Sequence, residues 1–390
     1  MKVSALFGAA AGIPWQSALA QTGAAQADAP DPKRTVQFSN ILASQPPPRV
    51  ITIPNVGNYK VLKGDFHIHT LMSDGQVMPR HRILEAVSNG LDCISLTEHI
   101  SVGGVARGVR VGGTLKLAEQ GDDHNWAYNL AKAEADKNDL ILIRGTEVTM
   151  SEWHFNAIFL EDVNPLAASI SDWRKALAIA TEQGGFVFWN HPSWIDRTPD
   201  DDIIGLQRGE PLRFLDEVEE ARAKGHIHGV EVFNGISHYP IALDWCNERN
   251  LAPITVSDIH ISESERYGIQ NLRRPMSLIL AEDRTESAIR EACFAHRIVG
   301  WAADMILGKP EWVEKLFVAC VDVTASGRSV TIKNKGDIPM NLQVRESKYD
   351  LPPQGEVAVS YADDDKLRIT NWYVGAFKPL EVAFTSLVGR

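Results

Sequence analysis

From about residue 60 the chain alternates short apolar runs that end in polar residues with stretches of helical period. The strand-like runs are Val61–His69, Leu91–His99, Leu140–Glu147, His154–Leu160, Gly185–His191, Gly229–Asn234 and Ala252–His260. Helical periodicity fits Arg80–Ser88, Trp126–Ala135, Trp173–Glu182, Phe214–Ala223, Ala242–Glu248 and Glu286–Ala295. Gly90, Gly184 and Gly225 follow three of these helices, where a left-handed cap is expected. Such alternation predicts a parallel sheet with crossover helices, which an open doubly wound sheet or a closed (β/α) barrel would satisfy equally.

Past Gly308 the pattern changes. Lys315–Val323, Ser329–Lys333, Met340–Arg345, Glu356–Ser360, Leu367–Trp372 and Leu380–Phe384 are short runs separated by turn residues. They predict a small antiparallel β-sandwich over 309–390, a packing or dimer-forming module without histidine. At the other end, Lys2, the apolar Val3–Ile13 and the small-x-small Ala18-Leu19-Ala20 are expected to form an export signal over 1–20. Residues 21–59 are expected to be an arm or linker, since their first thirty are rich in Ala, Gln, Asp and Pro.

A net charge of −11 argues against a nucleic-acid polymer as partner, because such proteins carry a basic footprint. The N-terminal apolar run is far below the ~20 residues of a membrane span. Cys93, Cys246, Cys293 and Cys320 lack Cys-x-x-Cys spacing and so form neither a zinc knuckle nor a redox motif. The Gly-rich stretch Ser101–Gly121 matches no nucleotide-cradling pattern. Its length and its place after His99 predict a lid.

The candidate chemistry sits at the strand ends. His67 and His69 are two apart, as are Asp258 and His260, so each pair can point to one side of its strand. Asp74, His99, Glu147, His154 and His191 add further imidazoles and carboxylates. Only a closed barrel brings so many strand ends around one centre, which decides for the barrel. Imidazole and carboxylate donors without thiolate suit Zn, Mn or Fe as divalent ions.

In order, the motifs are His67-Ile68-His69-Thr70 with Ser73-Asp74-Gly75, Thr97-Glu98-His99, Gly145-Thr146-Glu147, and His154 in Trp153-His154-Phe155-Asn156. Asn190-His191-Pro192 and Ser257-Asp258-Ile259-His260 complete them. The chain thereby resembles the PHP (polymerase and histidinol phosphatase) family of metal-dependent phosphoesterases over residues 60–308. The resemblance implies a distorted seven-stranded (β/α) barrel with up to three metals. His67, His69, Glu147 and Asp258 would hold the first ion, and Asp74, His99 and His260 the second. Glu147 would bridge to a third held by His154 and His191. The implied reaction is hydrolysis of small-molecule phosphate mono- or diesters by a metal-bridging hydroxide. Glu98 stands where the family usually has Asp, and is expected to point away from His99 in a supporting role.

By position, His238 and His124 are candidates for protonating the leaving group, and Arg107, Arg110, Arg273 and Arg274 for clamping phosphate. Glu231 and Asn234 end a barrel strand and are candidates for supporting the site. An exported, periplasmic enzyme with a small-molecule substrate follows, with homo-oligomerisation left open. Two other functions compete: amidohydrolase-type cleavage of carbon esters or amides, and a non-catalytic, metal-stabilised binding module. The Asp258-x-His260 pair and Thr97-Glu98-His99 disfavour the first, and the full set of nine ligands disfavours the second.

Overall fold

The computed structural model describes residues 49–101, 123–150, 153–192, 212–268, 272–362 and 364–388. The expected export signal, Arg107, Arg110 and nearly all of the expected lid lie outside them.

Six helices fall on the periodic stretches: α1 (Pro79–Ser88), α2 (Trp126–Lys137), α4 (Trp173–Glu182), α5 (Asp216–Ala223), α6 (Pro240–Glu248) and α7 (Glu286–Phe294). A short α3 (Asn164–Ala167) precedes α4. Proline occupies the first turn of α1 and α6, where its missing N–H costs nothing. Asp172 and Thr285 cap α4 and α7 by accepting the backbone N–H of Lys175 and Ala288. Gly90, Gly184 and Gly225 all take positive φ, near 75–79°, as their positions after α1, α4 and α5 require.

The strands that carry the candidate residues are β1 (Lys60–Asp65), β2 (Cys93–Leu96), β3 (His99–Ser101), β4 (Ile141–Thr149), β5 (His154–Ile158), β6 (Phe186–Trp189), β7 (Gly229–Asn234), β8 (Ser237–His238) and β9 (Ala252–Val256). Parallel pairing joins β1 to β2, β2 and β3 to β4, β6 to β7 and β7 to β9. The sheet is not parallel throughout. β5 pairs antiparallel with both β4 and β6, because the link from Thr149 to His154 is too short for a crossover.

Three further strands escaped the sequence pattern: β10 (Met276–Ala281), β11 (Ile298–Ala302) and β12 (Met305–Gly308). They run antiparallel, β1 against β10, β10 against β11 and β11 against β12. Next to them, the run expected as a strand over Lys315–Val323 is mostly helix, α8 (Pro310–Cys320). Pro310 opens it, and Val313, Leu316, Phe317 and Cys320 recur at helical spacing and are buried.

The remaining strands are β13 (Val321–Ser326), β14 (Ser329–Asn334), β15 (Met340–Val344), β16 (Ser347–Leu351), β17 (Glu356–Ser360), β18 (Lys366–Gly375) and β19 (Lys378–Ala383), followed by α9 (Phe384–Val388). β13, β14 and β17 form a separate antiparallel sheet. β15, β16, β18 and β19 extend the main sheet instead, through a parallel pairing of β18 with β12. One apolar cluster runs from Leu278 and Trp301 through Phe317 to Trp372 and Leu380.

Candidate metal centre

β1 runs into the segment that carries His67 and His69. Both imidazoles are fully buried, as are Phe66 and Ile68, which alternate with them. The expected shared face is present: the two Nε2 atoms lie 3.0 Å apart. Past β9 the chain makes an isolated bridge from Ile259 to Ile68, which brings the second pair alongside the first. Asp258 takes φ of 48°, a left-handed turn that Asp tolerates, and its Oδ1 sits 3.2 Å from Nε2 of both His67 and His69.

Glu147, near the end of β4, is the hub. Its Oε2 lies 3.5 Å from His67 Nε2, 3.3 Å from His69 Nε2 and 2.9 Å from His99 Nδ1. Its Oε1 lies 2.9 Å from His154 Nδ1 and 3.4 Å from His191 Nε2. Asp74 closes the other side, with Oδ1 3.2 Å from His260 Nε2 and Oδ2 3.3 Å from His99 Nε2. The nine candidate ligands thus fall into four overlapping sets. These are His69–Asp74–His99–His260, His67–His69–Asp258, His67–Glu147–His191 and His99–Glu147–His154. The grouping differs from the one expected: His69 joins the Asp74 set, and His154 and His191 meet Glu147 in separate sets.

Outer contacts decide which nitrogen each imidazole offers. His67 donates Nδ1–H to Glu231 Oε1 at 2.7 Å, which leaves Nε2 with a lone pair facing inward. His260 donates Nδ1–H to the Asp258 carbonyl at 2.9 Å, and His154 donates Nε2–H to the Met150 carbonyl at 3.0 Å. Ser73 Oγ lies 3.3 Å from His69 Nδ1, and Thr149 Oγ1 2.6 Å from His99 Nδ1. Asn190 donates to Glu147 Oε1 at 2.8 Å, and Asn234 to both Glu231 and Asp258. Glu231 and Asn234 therefore act where their strand end placed them. Ser73 and Asn190 stand inside the ligand motifs and Thr149 two residues past one, but none carries a signal of its own in the sequence.

The electrostatics favour bound cations. Burial alone would lower His67, but Asp258, Glu147 and Glu231 outweigh it and hold it well above its ordinary value. Burial, His260 and His99 push His69 down to about 3. Burial works against ionised Glu147 and Asp258, yet the surrounding imidazoles keep both well below the usual carboxylate range. Glu147 Oε2 and Asp258 Oδ1 are buried and face imidazole nitrogens, the first at 2.9 to 3.5 Å and the second at 3.2 to 3.5 Å. Two inward carboxylate oxygens ringed by imidazole nitrogens fit divalent ions, which would take the place of the protons those nitrogens share.

The other candidates have partners of their own. Arg274 is fully buried and bonds Asp65 Oδ2 at 2.7 Å and Ser257 Oγ at 3.3 Å, so it is spent inside the fold and cannot clamp a phosphate. Arg273 stacks 4.0 Å over the Trp301 ring, with Arg49, Asp304 and Asp337 as its charged neighbours. His238 sits among Phe233, Tyr373 and Phe377, where burial lowers it to about 4. A neutral imidazole is unsuited to protonate a leaving group near pH 7. His124 begins the approach to α2, its backbone N–H on Asn164 Oδ1. Glu98 behaves as expected, accepting from Ser73 Oγ at 2.5 Å and from the Thr70 N–H at 3.2 Å.

Among solved structures, a two-domain protein from Bacteroides vulgatus containing a predicted PHP-like metal-dependent phosphoesterase superposes with a TM-score of 0.75. The two are 30% identical over 87% of this chain and 99% of that one. A putative metal-dependent phosphoesterase from Bifidobacterium adolescentis (15% identical, 50% of this chain and 87% of that one) gives a TM-score of 0.36. An amidohydrolase from Chromobacterium violaceum (14% identical, 52% and 88%) also gives 0.36. These two likenesses are too weak to bear on function. No protein-family model matches the chain, and no curated protein matches it.

Proposed function

Because the chain belongs to the PHP-like metal-dependent phosphoesterases, we propose that it hydrolyses phosphate mono- or diesters of small molecules. One observation carries this: Glu147 stands at the junction of the ligand sets, with each oxygen facing different imidazoles. Divalent ions bound there, with Zn, Mn and Fe the best suited, would supply positive charge to the phosphate and acidify water.

The chain's own part is orientation. Glu231 holds His67 by its Nδ1 and, through Oε2, the backbone N–H of His191 at 2.5 Å. One carboxylate so fixes a ligand from β1's extension and another from the end of β6. Asn190 and Asn234 supply N–H groups to Glu147 and Asp258, keeping those carboxylates turned inward and ionised.

We read β1, β2, β4 to β7 and β9 as the seven staves of a distorted barrel that closes between β9 and β1. The Ile68–Ile259 bridge supports closure, as do the bonds of Ser277 Oγ, on β10, to both the N–H and the carbonyl of Thr255. Export to a periplasm is proposed from Lys2, Val3–Ile13 and Ala18-Leu19-Ala20.

Purified protein loaded with Mn²⁺ or Zn²⁺ should release nitrophenol from nitrophenyl phosphate or bis-nitrophenyl phosphate. His191→Ala removes a candidate ligand and should lower that rate by at least the roughly 10- to 100-fold that losing a ligand's outer partner costs, with the fold intact. Cleavage of nitrophenyl acetate with neither phosphate ester touched would overturn the proposal in favour of amidohydrolase-type chemistry.

A further inference from the structure

Two arginines are among the largest fully buried side chains of the molecule, and both sit where the segment after β1 meets the segment after β9. Arg82, on α1, spreads its guanidinium over three backbone carbonyls. Nε donates to His69 at 2.9 Å, Nη2 to Ile259 at 3.1 Å and Nη1 to Ile261 at 2.9 Å. Nη1 also meets Glu85 Oε2 at 2.7 Å, and Glu85 Oε1 accepts the Glu263 N–H at 2.9 Å. The carbonyls belong to His69 and to the two neighbours of His260. Gln76 adds a backbone bond to the His260 carbonyl at 2.7 Å.

Arg274 grips the same seam one step earlier. Through Nε it holds Asp65 Oδ2, and Asp65 Oδ1 in turn accepts the N–H of His67 at 3.3 Å and of Ser257 at 3.2 Å. Ser257 precedes Asp258, and its Oγ receives Arg274 Nη2. This clamp therefore sets His67 against Asp258, as the Arg82 clamp sets His69 against His260.

We propose that Arg82 and Arg274 are positioning residues, each tuned to a different ion site: Arg82 to His69–Asp74–His99–His260, and Arg274 to His67–His69–Asp258. A helix or strand spaces its own side chains by its geometry, but nothing local spaces ligands donated by two segments nearly two hundred residues apart. A planar guanidinium with five donors in fixed directions can do so, whereas the three donors of a lysine ammonium radiate from one atom and set no such span. The inference rests on the metal centre and is independent of the substrate, because metal content is read with no ester present.

The test is Zn²⁺ titration of chelator-stripped full-length protein by calorimetry, with elemental analysis of the loaded form and a melting curve for each variant. Arg82→Lys should weaken at least one Zn²⁺ equivalent tenfold or more and leave another unchanged. Combined with His260→Ala it should cost nothing further, and combined with Asp258→Ala it should cost as much as alone. Arg274→Lys should show the reverse pattern. Arg297→Lys is the control, since Arg297 is buried at the far end of β10 on the Leu280 carbonyl, away from the centre. Should Arg82→Lys fail to fold, Glu85→Gln loosens the same clamp more gently and should weaken the same equivalent about threefold. Three results would overturn the proposal: unchanged affinity in Arg82→Lys or in Glu85→Gln, equal further loss in both ligand backgrounds, or equal loss in Arg297→Lys at a matched drop in melting temperature.

Discussion

His67 illustrates what a buried ligand requires beyond its own imidazole. The side chain is fully enclosed, and its Nδ1–H is held by a carboxylate that is itself buried. Removing that charge changes both the orientation and the basicity of the ring. Glu231→Gln should therefore weaken metal binding about 10- to 100-fold, read by Zn²⁺ titration, with little change in melting temperature of the stripped protein. His238 shows the opposite case, an imidazole whose neutral form the fold prefers. The position of the metal ligands was legible because residues two apart on a strand must share a face. The fate of Arg274 was not legible, because an arginine near a strand start looks the same whether it meets solvent or Asp65.

At the scale of elements, period and punctuation located six helices, α4 to the residue and α1, α2, α5, α6 and α7 within two residues at either end, but not the short α3 and α9. Strands β10 to β12 are hard to see in the sequence because their apolar runs end in no metal-binding or polar cluster. α8 was misread because apolar residues three and four apart also populate a short run that passes for a strand. Close strand approach is visible only in three dimensions. A Cβ built on Gly300, in β11, would lie 2.0 Å from Thr255 Oγ1 in β9. The two strands touch at a point where no side chain fits. Gly300→Ala should cost about 1–3 kcal/mol by urea denaturation, and Gly300→Ala with Thr255→Ser should not recover it, since serine keeps the Oγ. Full stability of Gly300→Ala would show that β9 and β11 are not in contact.

The whole molecule should lose stability in mild acid through histidines outside the metal centre as well as through His69. Burial lowers His228, His238 and His296 to about 4, against an ordinary value of 6.5. A group with a depressed folded pKa binds its proton first in the unfolded chain. Stability is thus fully present above pH 6.5 and declines as pH falls toward 4, by no more than about 1.4 kcal/mol per pH unit for each histidine. In urea midpoints of stripped protein between pH 6.5 and 4.5, His238→Phe should shallow the slope by one proton's share. An unchanged slope would mean that His238 titrates freely. At this scale the C-terminal strands matter as well. Pairing between β12 and β18 joins β15, β16, β18 and β19 to the main sheet, while β13, β14 and β17 form their own sheet over a shared apolar cluster.

Alternation of apolar runs with helical stretches, and metal-binding side chains at the ends of those runs, were determined by sequence alone, because both follow from the repeat of local backbone geometry. The tertiary structure decided how the ligands divide into sets, which imidazole nitrogen each one offers, and which arginines are enclosed. Those outcomes depend on contacts such as His67 to Glu231 and Arg82 to Ile259, between residues more than one hundred and sixty positions apart. No local periodicity constrains a distance of that kind; only the packed chain does.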